Sequence, residues 1–296
     1  MDRHRDELVT EGYTVLRDAM SPQQLADVRA AFQLHPDGEN YAGELLHGPC
    51  LVCKHRAFRA VTMQPRVLAI VEGLLGEDCV LSSSNSAHRE PGCQAQGLHR
   101  DTSIWGPSMP LFSEPVGIQT AWCVDDFSEQ TGGTRLVPRS HLASTGATGT
   151  IGPGKGAPDA ATAAERAAAI TVAAPAGSII LFDARILHGG GANNSTRHRR
   201  ACLTLYVRHW LKPQHDLKRS IDSDQLDQIL LEPKSDTMLR LLGFHRQSAI
   251  EMADGRSALV GTPGLAVGGF YGGLLTDGDA TVRLPPRARQ LGAGKL

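Results

Sequence analysis

A histidine and an aspartate separated by one residue, His99 and Asp101, are spaced to bind one metal ion. On an extended strand alternate side chains share a face, so their Cα atoms would lie roughly 6.5–7 Å apart. His188, which follows an apolar run and precedes a glycine-rich turn, is the proposed third ligand. Two histidines and a carboxylate form the facial triad that leaves open positions on non-haem Fe(II). The HxD pair alone is a weak signal, because histidine packs and titrates in many other roles.

Three arginines, Arg197, Arg199 and Arg200, follow the glycine-rich turn after His188. If the triad uses the diacid 2-oxoglutarate, a cation must pair with the distal carboxylate, and arginine does so through a bidentate fork. On a strand, Arg200 would lie on the face opposite to Arg197 and Arg199. Strand parity alone does not separate Arg197 from Arg199.

The composition favours a small-molecule partner. The chain has 296 residues, with 30 Lys+Arg against 31 Asp+Glu and a formal net charge of -1. No global field therefore favours nucleic acid or an acidic membrane, and we expect neither as a partner. The first residues are polar and no apolar run reaches the length of a signal core or a membrane span, so we expect a cytoplasmic protein. The composition does not indicate an oligomeric state.

Six cysteines without a secretion signal are expected to be reduced thiols: Cys50, Cys53, Cys79, Cys93, Cys123 and Cys202. The CxxC formed by Cys50 and Cys53 could begin a zinc site or a redox pair. A second CxxC is missing from the sequence, and Lys54 does not fit the haem-attachment pattern. We therefore expect these two residues to be plain thiols as well.

Periodicity divides the chain into three regions that would position the candidate residues. Residues 1–77 are mainly helical, about 78–210 are short strands, and about 211–296 return to helix. We predict one domain over 1–296. Its core would be mainly β with flanking helices, a double-stranded β-helix or jelly roll of the cupin type, because the candidate ligands fall on separate strands.

Six segments of the sequence form an ordered set. They are Glu11-Gly12-Tyr13-Thr14-Val15-Leu16, Gly76-Glu77-Asp78, Gly97-Leu98-His99-Arg100-Asp101, Trp122-Cys123-Val124-Asp125-Asp126, Thr134-Arg135-Leu136-Val137-Pro138-Arg139-Ser140-His141, and Gly177-Ser178-Ile179-Ile180-Leu181-Phe182-Asp183 with His188-Gly189. In these segments and their order the chain resembles the phytanoyl-CoA dioxygenase (PhyH-like) family of Fe(II)/2-oxoglutarate-dependent oxygenases. Six ordered segments are far more specific than one HxD pair.

The resemblance implies an iron site and two cosubstrates, 2-oxoglutarate and O2. Fe(II) would be held by His99, Asp101 and His188. The family's 2-oxoglutarate arginine lies eleven residues beyond the distal histidine, which here is Arg199. The implied reaction is oxidation, by default hydroxylation, of a C–H bond of a small molecule such as a secondary metabolite, with release of succinate and CO2.

Two further residues resemble family positions that hydrogen-bond the cosubstrate in some members, Gln96 and Thr134. Structural roles compete with this interpretation. Gln96 could cap a turn after Pro91-Gly92, and Thr134 could simply fill a strand. Both alternatives remain open at the level of sequence.

The segment after the HxD pair is the predicted substrate wall, through Thr102, Trp105, Met109 and Phe112. Loops on a rigid scaffold commonly carry specificity, and small-molecule cavities are lined by apolar and aromatic groups. The alternative is that Trp105 is a core residue, since large aromatic side chains are mostly buried whatever their role.

Two other functions could use the same three ligands. A non-catalytic cupin-like binding module would hold a structural metal or keep a vestigial triad. A Zn²⁺ hydrolase would need a general base near the open site and would have no use for a 2-oxoglutarate arginine. The complete ligand set with an arginine favours the oxygenase.

Overall fold

The structure is a computed structural model, and it describes residues 2–34, 39–41, 44–46, 50–105, 112–143, 161–244, 248–251 and 257–260. The chain forms two compact units, residues 1–215 and 216–296. The first unit contains both β-sheets that surround the candidate residues. The prediction of a single domain stays a prediction.

Short helices and strands make up the N-terminal region of the first unit. They are α1 (Asp2–Thr10), β1 (Tyr13–Leu16), α2 (Pro22–Leu34), β2 (Glu39–Tyr41), β3 (Glu44–Leu46), α3 (Leu51–Lys54), α4 (Arg56–Thr62) and α5 (Pro65–Leu75). Helix α5 has clear sequence boundaries: the Gln64 side chain accepts hydrogen bonds from two backbone N–H groups of the first turn, and Pro65 begins the helix. Gly76 ends it with φ 104°, a conformation that favours glycine.

The strand-rich part of the first unit contains one more helix. Its elements are β4 (Val80–Arg89), β5 (Gly117–Cys123), β6 (Thr134–Leu136), α6 (Ala163–Ala168), β7 (Ile170–Thr171), β8 (Ile179–Asp183), β9 (His188–Gly190) and β10 (Arg199–Val207). Most of the predicted 143–160 connection lies outside the described residues.

Two antiparallel sheets form the core. The larger has the strand order β1-β8-β5-β10-β4-β3-β2, and the smaller has the order β7-β6-β9. Apolar side chains from both sheets pack together in one cluster that includes Ala121, Leu136, Ile180 and Ala201. The core therefore lies between the sheets. The predicted fold class, mainly β with flanking helices around a jelly-roll core, is confirmed.

The CxxC segment differs from its prediction. Cys50 and Cys53 form a disulfide, with Cα atoms 5.3 Å apart, and both residues are buried. Cys50 precedes α3 and Cys53 lies within it, so one helical turn brings their Cα atoms into disulfide range. The expectation of a reduced thiol was wrong at these two positions. The other four cysteines are free and buried.

The second unit comprises residues 216–296. It contains α7 (Ser223–Leu231) and α8 (Ser235–Leu241), as the apolar periodicity predicts, followed by a hairpin of β11 (Ser248–Glu251) and β12 (Ser257–Val260). The hairpin was not predicted. No helix within the described ranges is long and apolar enough to cross a membrane.

Candidate metal centre

The three predicted ligands converge. One ligand atom from each of His99, Asp101 and His188 lies within 4.8 Å of the others. Asp101 Oδ1 is 3.9 Å from His99 Nε2 and 3.6 Å from His188 Nε2. The two histidines are joined by a reciprocal pair of backbone hydrogen bonds, each with an N to O distance of 2.9 Å. Three donors at this separation can bind one metal ion.

Asp101 was predicted to lie on a strand, but it does not. His99 makes an isolated bridge to His188, and Asp101 begins a 3₁₀-helix, Asp101–Trp105. The chain turns at this point because Thr102 N donates to Ala184 O and ends the extended pairing. The carboxylate and both imidazoles nevertheless face the same point.

The second nitrogen of each imidazole is held by a backbone carbonyl. Nδ1 of His99 lies 3.1 Å from Gly97 O, and Nδ1 of His188 lies 3.1 Å from Ile186 O. A carbonyl can only accept, so Nδ1 donates and Nε2 keeps its lone pair for a ligand. Burial lowers the pKa of His188 to about 4. This imidazole is therefore neutral near pH 7, as metal binding requires.

The aspartate also fits a metal ligand. Asp101 is 9% exposed, and its Oδ2 is buried without a hydrogen-bond partner among the described residues. A buried carboxylate oxygen normally has a partner, because an unpaired buried charge is costly. A bound cation would supply that partner. The donor set, two imidazoles and a carboxylate, is the set that suits non-haem iron.

A buried ion pair supports the turn that leads to His188. Arg185 Nη2 lies 2.7 Å from Asp183 Oδ2, and Arg185 Nε lies 2.9 Å from Asp183 Oδ1. Arg100, between the two HxD ligands, donates from Nη1 to the carbonyls of Ser140, at 2.8 Å, and Arg185. The segments that carry the ligands are thus tied together outside the ligand set.

All six predicted metal and cosubstrate residues line one cavity of about 240 Å³: Gln96, His99, Asp101, Thr134, His188 and Arg199. Residues from both sheets contribute to the wall. The grouping of Gln96, Thr134 and Arg199 beside the triad is a feature that the HxD pattern alone could not predict.

Arg199 is the arginine that faces the cavity. It is 3% exposed, its Nη2 donates to Gly132 O at 2.8 Å, and its guanidinium lies 4.5 Å from the centroid of the Phe127 ring. Arg200 points to the other face and pairs with Asp125 through two contacts of 2.8 and 2.9 Å. Arg197 is exposed. The structure therefore separates the two candidates that strand parity left open.

Gln96 and Thr134 both lie beside strand β9. Gln96 Oε1 accepts a hydrogen bond from Gly190 N at 2.7 Å, and Gln96 N donates to Gly190 O. Thr134 of β6 is opposite Gly190 of β9. Gln96 therefore has a structural role in fixing β9, and both side chains also reach the cavity wall.

Thr102, Trp105 and Phe112, three of the four predicted substrate-wall residues, are not among the described residues that line the cavity. Thr102 is buried, and Trp105 and Phe112 pack against an apolar cluster that includes Leu205 and Leu211. Within this turn, Ile104 lines the cavity. Met109 lies outside the described residues. The roles of these four residues stay predictions.

Sequence reasoning missed several lining residues of the large sheet: Ser83, Asn85, Gln119, Phe182, Leu203 and Leu205. Their side chains alternate along β4, β5, β8 and β10, but alternation alone does not show which face is the inner one. A polar residue such as Gln119 within an apolar strand was the available signal.

Comparison with known proteins identifies relatives of the chain. The family model for phytanoyl-CoA dioxygenase (PhyH) matches residues 8–201. An uncharacterized protein of Mycobacterium tuberculosis is 25% identical over 273 residues, covering 83% of this chain and 87% of that protein. The multifunctional dioxygenase ausE of Penicillium brasilianum is 31% identical over 178 residues, covering 56% of this chain and 52% of that enzyme.

Two solved structures share the fold. The epimerase SnoN, in complex with Fe3+, alpha ketoglutarate and nogalamycin RO, has a TM-score of 0.59 at 20% identity and covers 70% of this chain and 83% of its own. HygX from Streptomyces hygroscopicus, with nickel, 2-oxoglutarate and hygromycin B bound, has a TM-score of 0.56 at 15% identity and covers 72% and 89%. Since the family model spans well over half of the sequence, the chain belongs to the phytanoyl-CoA dioxygenase (PhyH) family.

Proposed function

We propose that this protein is an Fe(II)- and 2-oxoglutarate-dependent oxygenase that acts on a small molecule. The observation that carries the proposal is the meeting of His99, Asp101, His188 and buried Arg199 in one cavity. Membership of the PhyH family supports it. Arg199 distinguishes this cavity from a structural metal site, because a structural metal needs no buried guanidinium beside it.

His99, Asp101 and His188 would bind iron from one side. The contacts of the two histidine Nδ1 atoms to backbone carbonyls hold both imidazole rings in the orientation that directs Nε2 to the ion. Iron bound with 2-oxoglutarate and O2 supplies the oxidising chemistry, with 2-oxoglutarate converted to succinate and CO2. A facial arrangement leaves open positions for these cosubstrates.

Arg199 would bind the far carboxylate of 2-oxoglutarate. The guanidinium is fixed before binding by Gly132 O and the Phe127 ring, so little side-chain freedom is lost on pairing. Thr134 and Gln96 line the same wall and would add hydrogen bonds to the cosubstrate. Burial of Arg199 and His188 keeps water from competing for these contacts.

The proposed reaction is oxidation of a substrate C–H bond, by default hydroxylation, and a secondary metabolite is a fitting substrate. Relatives named dioxygenases support the oxidation. The structural neighbours solved with nogalamycin RO and hygromycin B support a small-molecule substrate. The neighbour SnoN is an epimerase, which illustrates that this fold supports other outcomes. The outcome would follow from how the substrate C–H bond is placed.

The experiment that tests this function is succinate release. Purified protein would be incubated with Fe(II), 2-oxoglutarate, O2 and a library of small molecules, beside His188→Ala as the inactive control. Succinate formation that depends on Fe(II) and on a library member is expected. A Zn²⁺ hydrolase or a structural-metal binding module would not use 2-oxoglutarate. The absence of succinate with every member, together with no metal-dependent shift in melting temperature on adding 2-oxoglutarate, would reject the proposal.

A further inference from the structure

Gln119 places a polar group beside apolar residues of the cavity wall. It lies in β5, opposite Phe182 of β8 and Leu205 of β10, and Ala121 follows on the same face of the strand. Gln119 is 9% exposed and lines the cavity. Gln119 therefore faces the interior, where an apolar side chain would pack without leaving a polar group buried.

The carboxamide oxygen of Gln119 is buried and has no hydrogen-bond partner in the part of the chain that the structure describes. Leaving a buried acceptor unpaired is unfavourable, and buried polar groups in folded proteins nearly always have a partner. Because Gln119 faces the cavity, the missing donor is expected to come from a bound molecule. Gln119 thus has the property of a ligand contact.

The cosubstrate is an unsuitable source of that donor. Arg199 and Leu205 lie in the same strand, and their six-residue separation corresponds to roughly 20 Å. Gln119 is opposite Leu205, so it lies near the end of β10 that is far from Arg199. The Phe182 ring, in the residue opposite Gln119, lies 4.5 Å from the His188 ring. Gln119 therefore lies near the proposed metal ligands and far from Arg199, which would bind the far carboxylate of 2-oxoglutarate.

The surroundings of Gln119 restrict the chemistry of the bound group. Apart from the three metal ligands, Arg199 is the charged residue among the described residues that line the cavity. Ile104, Phe182 and Leu205 are apolar neighbours on the same wall. A carboxylate or phosphate would meet the Gln119 oxygen without a cation to pair with, and burying it so would be costly.

We infer that Gln119 is a specificity-determining residue, which accepts a hydrogen bond from a hydroxyl or amide N–H of a neutral substrate with an apolar body. This inference rests on the proposed function, since it assigns the rest of the cavity to iron and 2-oxoglutarate. Ser83 of β4, opposite Leu205 of β10, lies on the same wall, and its hydroxyl offers a second polar contact for such a substrate. A site of this kind discriminates against analogues that lack the donor.

The probes for the test are matched triplets on cyclohexane, decalin and a tetracyclic sterol frame, each as a secondary alcohol, its methyl ether and the corresponding carboxylate. Binding is measured as the shift in melting temperature with Mn(II) and 2-oxoglutarate present, and coupling as succinate release with Fe(II). The variant is Gln119→Leu. Gln33→Leu is the matched control, since Gln33 is an exposed residue of α2 and undergoes the same chemical change.

In the parent protein at least one alcohol should bind roughly threefold to tenfold more tightly than its ether, as expected for one neutral hydrogen bond. Its carboxylate should bind more weakly still. Gln119→Leu should remove the preference for the alcohol and leave the 2-oxoglutarate requirement unchanged, whereas Gln33→Leu should keep it.

Any of three probe-binding results would overturn the inference: preference for carboxylates, an alcohol preference that survives in Gln119→Leu, or no binding of any probe to protein that binds Mn(II) and 2-oxoglutarate normally. A changed 2-oxoglutarate requirement in Gln119→Leu would also overturn it, by assigning the residue to the cosubstrate. Failure of the proposed function has a different signature, because 2-oxoglutarate would then give no metal-dependent shift in the parent protein.

Discussion

Nε2 of His188 lies 3.6 Å from Oδ1 of Asp101, although one residue begins a strand of the small sheet and the other begins a 3₁₀-helix. The His99–His188 backbone pairing brings these segments together. The ligand set therefore depends on the packing of two elements as well as on the HxD spacing. Substitutions that loosen either element should disturb the metal site.

Arg199→Ala should raise the 2-oxoglutarate concentration required for half-maximal succinate release by a factor on the order of 10–100. That range follows from losing a charged hydrogen-bonded contact worth about 1.5–3 kcal/mol. Arg197→Ala is the control, because Arg197 is exposed and should leave the requirement unchanged. The reverse pattern would mean that the cosubstrate arginine is misassigned.

Asp183→Ala should destabilise the fold strongly. It leaves Arg185 buried without its carboxylate partner, and breaking a buried ion pair in this way costs about 3–5 kcal/mol. The free energy of unfolding from urea denaturation measures the effect. Arg139→Gln, which removes an exposed pair with Glu11, should change the free energy by less than about 1 kcal/mol. Equal effects of the two substitutions would contradict the structural role of the buried pair.

The Asp125–Arg200 pair should make stability depend on pH. Burial alone would raise the pKa of the Asp125 carboxyl, but the hydrogen bonds and positive charge of Arg200 outweigh burial and lower that pKa below its ordinary value. The stabilisation is then fully present above the ordinary aspartate pKa and is lost as the pH falls through the lowered value. Comparing unfolding free energies of the parent and Asp125→Asn at pH 7 and in the acid range tests this. A difference that grows on acidification would have the wrong sign.

Trp105→Ala should lower substrate turnover while uncoupled 2-oxoglutarate decarboxylation remains measurable. Trp105 is adjacent to Ile104, which lines the cavity, and its Nε1 donates to Lys212 O at 2.8 Å. Removing the ring should therefore displace the Ile104 wall before it affects the metal ligands. Succinate release with and without substrate measures both activities. Loss of both together, with a lowered melting temperature, would show that Trp105 belongs to the core.

Much of the fold and the site could be predicted from local patterns. The boundaries of α5 were readable because Pro65 and Gly76 have specific conformational roles. The three candidate ligands could be selected from the sequence because two lie one residue apart and the third follows an apolar run. Such local signals were enough to predict the fold class and to select the candidate ligands that converge in the structure.

Other features depend on tertiary geometry that local patterns do not contain. The turn at Asp101 arises from the backbone contact of Thr102 with Ala184. The choice of Arg199 over Arg197 required the sheet edge to be placed. Gln119 was missed because its importance appears only when three neighbouring strands are aligned. The Cys50–Cys53 disulfide was not predicted, because a CxxC pair alone does not distinguish free thiols from a disulfide.

The most direct test of the central claim is the visible absorption of the iron–2-oxoglutarate chelate under anaerobic conditions. Adding 2-oxoglutarate to the Fe(II)-loaded parent protein should produce the absorption band. His188→Ala should abolish it, and His209→Ala, which changes an exposed histidine paired with Asp78, should retain it. An unchanged band in His188→Ala, or no band in the parent protein, would contradict the proposed site.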